Sequence, residues 1–194
     1  MPRKRVAVLI SGRGSNMTAL IEAAKAKDYP AEIALVVSNR PDAQGLARAR
    51  EQGVATAIVD HTAFGEEREA FERALDHELQ AHRIDLVCLA GFMRLLTPWF
   101  VGQWPHLMLN IHPALLPSFK GWHPVRDALA FGVKVTGTTI HIVTEELDEG
   151  PILAQEAVTI LPDDTEETLH ERIKQVERRL YPDTIKRVIA GELP

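Results

Sequence analysis

The stretch Arg5-Val-Ala-Val-Leu-Ile-Ser-Gly-Arg-Gly-Ser-Asn16 decides the fold. Val6–Ile10 is an unbroken apolar run, of the length and character of a strand buried on both faces. Ser11–Asn16 then turns the chain through two glycines into Asn16–Lys27, where Met17, Leu20, Ile21 and Ala24 recur at helical spacing. The pairing repeats downstream. Glu32–Ser38 (EIALVVS) predicts a second strand, closed by Asn39-Arg40-Pro41. Asp42 is the expected cap of a helix ending near Gln52, with Gly53 as its stop. Ala55–Val59 predicts a third strand, and Glu66–His82 a helix with Phe71, Leu75 and Leu79 on one face. Asp85–Ala90 (DLVCLA) predicts a fourth strand, ending at Gly91. Strands that are apolar throughout, alternating with helices, imply an α/β class: a Rossmann-like, mostly parallel twisted sheet with helices on both faces. Ligands bind such sheets outside the carboxyl ends of the strands. Attention therefore falls on residues 11–16, 38–40, 60–65 and 91–94.

The second half reads differently. Residues 95–143 hold four charged groups, Lys120, Arg126, Asp127 and Lys134, where the chain average predicts about a dozen, so this stretch is expected to be interior or to line a pocket. It also holds four of the eight histidines, His106, His112, His123 and His141. Leu107–Leu109 predicts a strand, as do residues 136–143 and 152–160, the last two separated by the acidic turn Glu145–Gly150. A final helix is expected from Thr165 to Leu180, with Leu169, Ile173, Val176 and Leu180 as its stripe and Asp164 with Glu167 as its capping box.

With 194 residues and no linker or repeat, the chain reads as one domain, residues 1–194. A net charge of -5 lacks the global basic field of a nucleic-acid binder. The single Cys88 forms no internal disulfide and no CxxC signature, and no apolar run is long enough for a signal peptide or a membrane span. The expectation is a cytoplasmic protein without nucleic-acid or membrane partners, and a homodimer is left open.

The glycine loop at 11–16 offers free N–H groups at a helix start, helped by Ser15 and Asn16, and so suits a phosphate. No Gly-Lys-Ser/Thr follows, which excludes a Walker loop. Met17 replaces the third glycine of GxGxxG, and Ser38-Asn39 offers no acidic residue for an adenosine ribose. A monophosphate is better supported than a dinucleotide, against the plain alternative of a glycine turn into a capped helix. Farther on, Asn110 and His112 are two apart at a strand end and face one side. An amide there can donate to a developing oxyanion, and an imidazole can exchange a proton near neutral pH. Asp148, just before Gly150-Pro151, differs from the solvated carboxylates around it only in its setting. His106, His123 and His141 lack metal-ligand spacing, and no metal is expected. Trp99, Trp104 and Trp122 read as core or pocket wall.

Five motifs occur in order: Ser11-Gly-Arg-Gly-Ser-Asn16, Ala90-Gly-Phe-Met-Arg94, Leu109-Asn-Ile-His-Pro113, Leu115-Leu-Pro117 and Glu146-Leu-Asp-Glu-Gly-Pro151. Across essentially the whole chain they resemble the folate-dependent phosphoribosylglycinamide formyltransferases of purine biosynthesis. The resemblance implies the formyltransferase fold and transfer of a formyl group from 10-formyltetrahydrofolate to the amine of glycinamide ribonucleotide, through a tetrahedral intermediate and without a metal. It implies Asn110, His112 and Asp148 as catalytic residues. It implies Gly14, Ser15, Asn16 and Glu177 for the ribonucleotide, and Arg68, Met93, Arg94, Leu95, Leu96 and Asn110 for the folate. The halves it implies are residues 1–100, approximately, for the ribonucleotide phosphate and 101–194 for folate and catalysis. From the residues alone, Glu177 reads as a surface helix charge and Arg68 as a helix partner of Glu72.

The sequence departs from the pattern at Arg13, where asparagine is common, at Thr139, where serine is common, and at Trp122-His123-Pro124. Three other readings remain. A methionyl-tRNA formyltransferase is expected to carry a further C-terminal RNA-binding domain, whereas this sequence stops at Pro194. A formyltetrahydrofolate deformylase is expected to carry an N-terminal regulatory domain. A non-catalytic nucleotide-binding module needs Gly14–Asn16 but gives Asn110 and Asp148 no role.

Overall fold

Val6, Val8 and Ile10 of the first strand, β1 (Lys4–Ile10), pack on one face of the sheet, while Ala7 and Leu9 pack on the other, and all five are fully buried. This two-sided burial is why the strand is apolar without alternation. The computed structural model describes residues 2–193. After β1 come α1 (Ser15–Ala24), β2 (Ala31–Ser38), α2 (Gln44–Glu51), β3 (Thr56–Ile58), a 3-10 turn (His61–Phe64), α3 (Arg68–Ala81) and β4 (Leu86–Leu89). The second half contributes α4 (Pro98–Gln103), β5 (Met108–His112), α5 (Pro124–Phe131), β6 (Val135–Ile142), β7 (Ile152–Thr159) and α6 (Glu166–Ile189).

The seven strands form one sheet in the order β3-β2-β1-β4-β5-β6-β7. The pairs from β3 through β5 are parallel, and β5–β6 and β6–β7 are antiparallel. Helices α1, α2 and α6 cover one face through Met17, Leu20, Leu46, Tyr181 and Ile185. Helices α3 and α4 cover the other through Phe71, Leu75, Leu79, Phe100 and Trp104. Leu169 and Ile173 of α6 close a smaller cluster with Val125 and Val158. The expected mostly parallel α/β sheet with helices on both faces is thus the observed architecture.

Several local expectations are corrected. Asp42 does not cap α2, because its carboxylate pairs with Arg40 at 2.9 Å and Ala43 takes the cap position. The capping box of α6 is built by Thr165 and Thr168 rather than by Asp164 and Glu167. Asp164 instead meets Arg172 at 2.6 Å, and hydrogen bonding to that guanidinium holds its carboxyl well below the usual range. Helix α6 runs nine residues past Leu180, through Pro182. The proline carbonyl is used, accepting the Tyr29 hydroxyl at 2.8 Å. Helices α4 and α5, absent from the sequence reading, each begin with a proline in the first turn, where its missing N–H costs nothing. The charge-poor segment 95–143 is only partly interior: Phe100, Met108 and Leu109 are fully buried, but Trp122, Phe131 and Val135 are exposed. Among the described residues no helix is long and apolar enough to cross a membrane.

Strand β6 lies tight against β7 at Gly137, which pairs with Ala157. A Cβ at Gly137 would overlap the Glu156 carbonyl oxygen and press on the Leu115 side chain. Gly137→Ala is expected to destabilise the fold by about 1–3 kcal/mol, seen as a lower urea midpoint at unchanged slope. An unchanged midpoint would mean that the β6–β7 pair can open to admit the methyl group.

Candidate active site

The sheet gathers its functional residues at the carboxyl ends of its parallel strands. Ser11–Asn16 follow β1, Asn39 and Arg40 follow β2, Ala90–Arg94 follow β4, and Asn110–Pro113 close β5. Together with α5 and α6 they line one cleft of about 920 Å³. A smaller cavity of about 110 Å³ adjoins it, walled by Leu89, Phe92, Leu95, Leu96 and Val143 and by the turn 144–148.

Asp148 is the centre of this arrangement. It is 8 % exposed and sits in the left-handed region at φ 55, which turns its carboxylate inward from the acidic loop. Oδ2 accepts the Gly121 N–H at 2.9 Å and lies 3.6 Å from His112 Nδ1, while Oδ1 lies 3.7 Å from His141 Nε2. The two histidines come from neighbouring antiparallel strands, β5 and β6.

The hydrogen bonds assign the imidazole protons. His112 Nε2 is 2.8 Å from the Phe119 carbonyl, which only accepts, so Nε2 carries a proton and Nδ1 is the basic nitrogen facing Asp148. His141 Nδ1 is 3.1 Å from the Ile142 carbonyl and donates to it, leaving Nε2 to accept from Asn110 Nδ2 at 3.1 Å. Burial lowers the His141 pKa and keeps the ring neutral, as that acceptor role requires. The Asn110 amide is thereby oriented with one of its two N–H groups spent and one free for a ligand. His141 is the site residue that sequence reasoning missed. Its signal was its place two residues beyond Thr139 in a strand paired with β5, which spacing along the chain does not show.

The glycine loop follows expectation in its backbone and departs from it in its side chains. Gly14, at φ 69, occupies the cap position of α1, and no side chain caps the helix, so the first-turn N–H groups point into the cleft. A Cβ on Gly14 would meet Gly45 Cα at 3.2 Å. Asn16 is committed elsewhere: its Nδ2 donates to Glu177 Oε2 at 2.8 Å. Glu177 is 4 % exposed, which overturns its reading as a surface charge. Its other oxygen faces Thr138 Oγ1 at 3.3 Å, and that hydroxyl also reaches the His112 carbonyl at 3.1 Å. Asn16, Glu177 and Thr138 thus link the glycine loop to the strand that carries His112. The Asn16 Oδ1 atom is buried without a partner.

Met93 and Arg94 line the large cleft, and Arg94, Leu95 and Leu96 line the small cavity. Ser11 fixes this loop: its hydroxyl accepts the Met93 N–H at 2.7 Å and donates to Asn39 Oδ1 at 2.6 Å. Arg68 lines neither cavity and does not pair with Glu72. Its guanidinium donates to the Leu95 carbonyl at 2.6 Å, while Glu72, buried, accepts from Thr97. Arg13, Arg40, Arg48, Lys174 and Arg178 line the cleft; Lys174 and Arg178 pair with Glu171 and Arg40 with Asp42, while Arg13 and Arg48, beside the start of α1, have no carboxylate partner among the described residues. Thr139, a departure from the expected serine, is buried and keeps the hydroxyl function, donating to the Ala114 carbonyl at 2.7 Å. Among the described residues no group of three or more His, Cys, Asp or Glu side chains is arranged to hold a metal ion.

A family profile described as Formyl transferase matches residues 4–185. The trifunctional purine biosynthetic protein adenosine-3 of Gallus gallus is 48% identical over 96% of this chain, which spans only 18% of that protein's length. The phosphoribosylglycinamide formyltransferase of Escherichia coli (strain K12) is 43% identical over 97% of this chain and 88% of its own. Among solved structures, glycinamide ribonucleotide transformylase 1 from Symbiobacterium toebii superposes with a TM-score of 0.94 at 46% identity, covering 97% of this chain and 89% of the other.

Glu177 gives this site a measurable signature. Burial raises its pKa, so the folded state binds the proton more tightly than the unfolded chain does. The favourable contribution is fully present below the unfolded-state value and is lost as pH rises through the folded one. Glu177→Gln keeps the shape and removes the buried charge. It is expected to raise Tm at pH 8 by about 2–4 °C, with the difference shrinking towards pH 4. A difference independent of pH would mean that Glu177 does not titrate upward.

Proposed function

The chain belongs to the Formyl transferase family, and from that premise we propose that it transfers the formyl group of 10-formyltetrahydrofolate to the amine of glycinamide ribonucleotide, a step of purine biosynthesis. The observation that carries this reading is the buried Asp148, facing His112 at 3.6 Å and His141 at 3.7 Å, where the large cleft beside the glycine loop meets the smaller cavity walled by Leu89, Phe92, Leu95 and Leu96. Two substrates of different character need two such spaces with the reacting groups between them.

The ribonucleotide phosphate docks on the open N–H groups of Gly14, Ser15 and Asn16, beside Arg13 and Arg48. Glu177 holds the nucleotide from beside the glycine loop, where its carboxylate accepts the Asn16 amide at 2.8 Å. The folate lies against Met93, Arg94, Leu95 and Leu96, in keeping with the apolar wall there. Arg68 acts on the folate tail from outside the cavity, through the loop it braces at Leu95. On this reading the N-terminal half of the domain serves the ribonucleotide and the C-terminal half serves folate and catalysis.

The amine attacks the formyl carbon, and negative charge develops on the formyl oxygen. The free N–H of Asn110 and protonated His112 Nδ1 donate to that oxygen. The carboxylate of Asp148 faces that imidazole at 3.6 Å and receives the proton lost by the amine for delivery to the departing folate nitrogen. His141 keeps Asn110 oriented throughout. Both ring nitrogens of His112 have work: Nε2 anchors the ring to Phe119, and Nδ1 carries the proton. The setting is the cytoplasm, a reading that the single, fully buried Cys88 supports.

The test is release of tetrahydrofolate from the formyl donor, measured with and without the ribonucleotide. Release is expected only with the amine present. Release without it would favour a deformylase, and nucleotide binding without turnover would favour a non-catalytic module. Asn110→Ala is expected to lower kcat by about a hundred-fold or more. A loss of less than about threefold would remove Asn110 from the oxyanion site.

A further inference from the structure

Six residues line both cavities and so form the neck between them: Phe92, Arg94, Asn110, Trp122, Leu147 and Asp148. Asn110, Asp148 and Arg94 are its polar members, and Phe92, Trp122 and Leu147 are its apolar wall. Trp122 and Leu147 are large apolar side chains left about half exposed there. The other two tryptophans pack with the core cluster of α3 and α4. Trp122 is also held in register with the reaction centre. Gly121, at φ 94, donates its N–H to Asp148 Oδ2 at 2.9 Å, so the indole stands one residue from a backbone tether to the carboxylate.

Nothing in Asn110, His112 and Asp148 distinguishes an amine from water. A water molecule at the amine's position would lose its proton to the same carboxylate, and the same donors would stabilise the same oxyanion. In that reaction the water oxygen bonds to the formyl carbon and the bond from that carbon to the folate nitrogen breaks. The nitrogen takes up a proton, and formate and a proton leave. Selection of the amine therefore has to come from the walls, by keeping water from the neck once both substrates are seated. An indole is suited to this task, because it is large, planar and restricted by only two side-chain torsions. A gap in its place would sit beside the polar Asn110 and Asp148, and such a gap fills with water.

Resting on the transfer reading above, we propose that Trp122 is the wall residue that excludes water from the formyl carbon, so that the group passes to the amine and is not hydrolysed. The Trp122-His123-Pro124 segment is one of the places where this sequence departs from the pattern it otherwise follows, and Pro124 stiffens it at the start of α5.

The experiment counts formate and formylated ribonucleotide for each tetrahydrofolate released, in the wild type, Trp122→Phe and Trp122→Ala. Trp122→Ala is expected to raise the formate share about tenfold or more, with Trp122→Phe staying near the wild type. A wild-type formate share in a Trp122→Ala protein that still turns over would overturn the proposal. A second readout is independent of the chemistry. Tetrahydrofolate alone is expected to quench the tryptophan emission of the wild type and to leave that of Trp122→Phe largely unquenched. Equal quenching in both would remove Trp122 from the folate wall, even if Trp122→Ala failed to fold. A wild type that shows no amine-dependent release would instead sink the transfer reading itself, which keeps the two failures apart.

Discussion

A buried carboxylate is costly unless its lone pairs and its charge are answered, and the carboxyl end of this sheet is organised around answering one. Asp148 receives the Gly121 N–H and faces two imidazoles, from β5 and β6. Meeting these partners requires three segments to be held in place: the loop after β5, the β5–β6 antiparallel pair, and the tight turn that leads into β7. The turn is tight because Gly150 packs against the Ile142 carbonyl, where a Cβ would overlap. The positive φ of Asp148 is part of the same constraint, since only that backbone conformation aims its side chain away from the exposed Glu146 and Glu149 beside it. The strain of a left-handed aspartate is offset by the contacts it gains.

Around that centre the polar side chains fix each other's protonation and orientation. His112 is tied through Nε2 to a carbonyl and His141 through Nδ1 to another, so the two rings present opposite nitrogens to the site. One presents a base, and the other an acceptor that orients Asn110. This economy depends on His141 remaining neutral, and burial supplies that. A second buried carboxylate, Glu177, joins the glycine loop to the His112 carbonyl through Asn16 and Thr138. Its raised pKa and the unpaired Asn16 Oδ1 mark a polar cluster that is not fully compensated within the protein. Such residual polarity, facing a cleft, is what a polar ligand can complete.

The charge around the cleft differs from the average over the whole chain. The net charge of -5 is an average over the surface. The cleft mouth gathers Arg13 and Arg48 beside an uncapped helix start, with Arg40, Lys174 and Arg178 near it in ion pairs. Local field, not net charge, acts on a phosphate within a Debye length of about 8–10 Å.

The sequence by itself determined the layered α/β architecture, because strands buried on both faces must be continuously apolar and helices that cover them must carry one apolar stripe. Val6–Ile10, Leu86–Leu89 and the Phe71, Leu75, Leu79 stripe say this without coordinates. It also determined Gly14–Asn16, Asn110 and His112 as residues worth chemical attention, since a glycine loop at a strand end and two polar groups two apart on a strand are local patterns. What sequence could not decide is everything set by contact between distant segments. Glu177 reads as a surface charge because a glutamate is ordinarily solvated, yet it continues the buried row of Leu169, Ile173, Tyr181 and Ile185, where Asn16 of α1 and Thr138 of β6 meet it. His141 looked unremarkable because its partners, Asn110 and Asp148, belong to other segments, brought to it by an antiparallel register and a turn. Asp42 pairs with Arg40 instead of capping α2, and Arg68 donates to the Leu95 carbonyl instead of meeting Glu72, because a polar side chain near a helix start has several partners within reach and packing selects among them. Local pattern fixes the elements, and tertiary packing alone fixes which buried polar groups meet, because an unpaired one is too costly to leave in the interior.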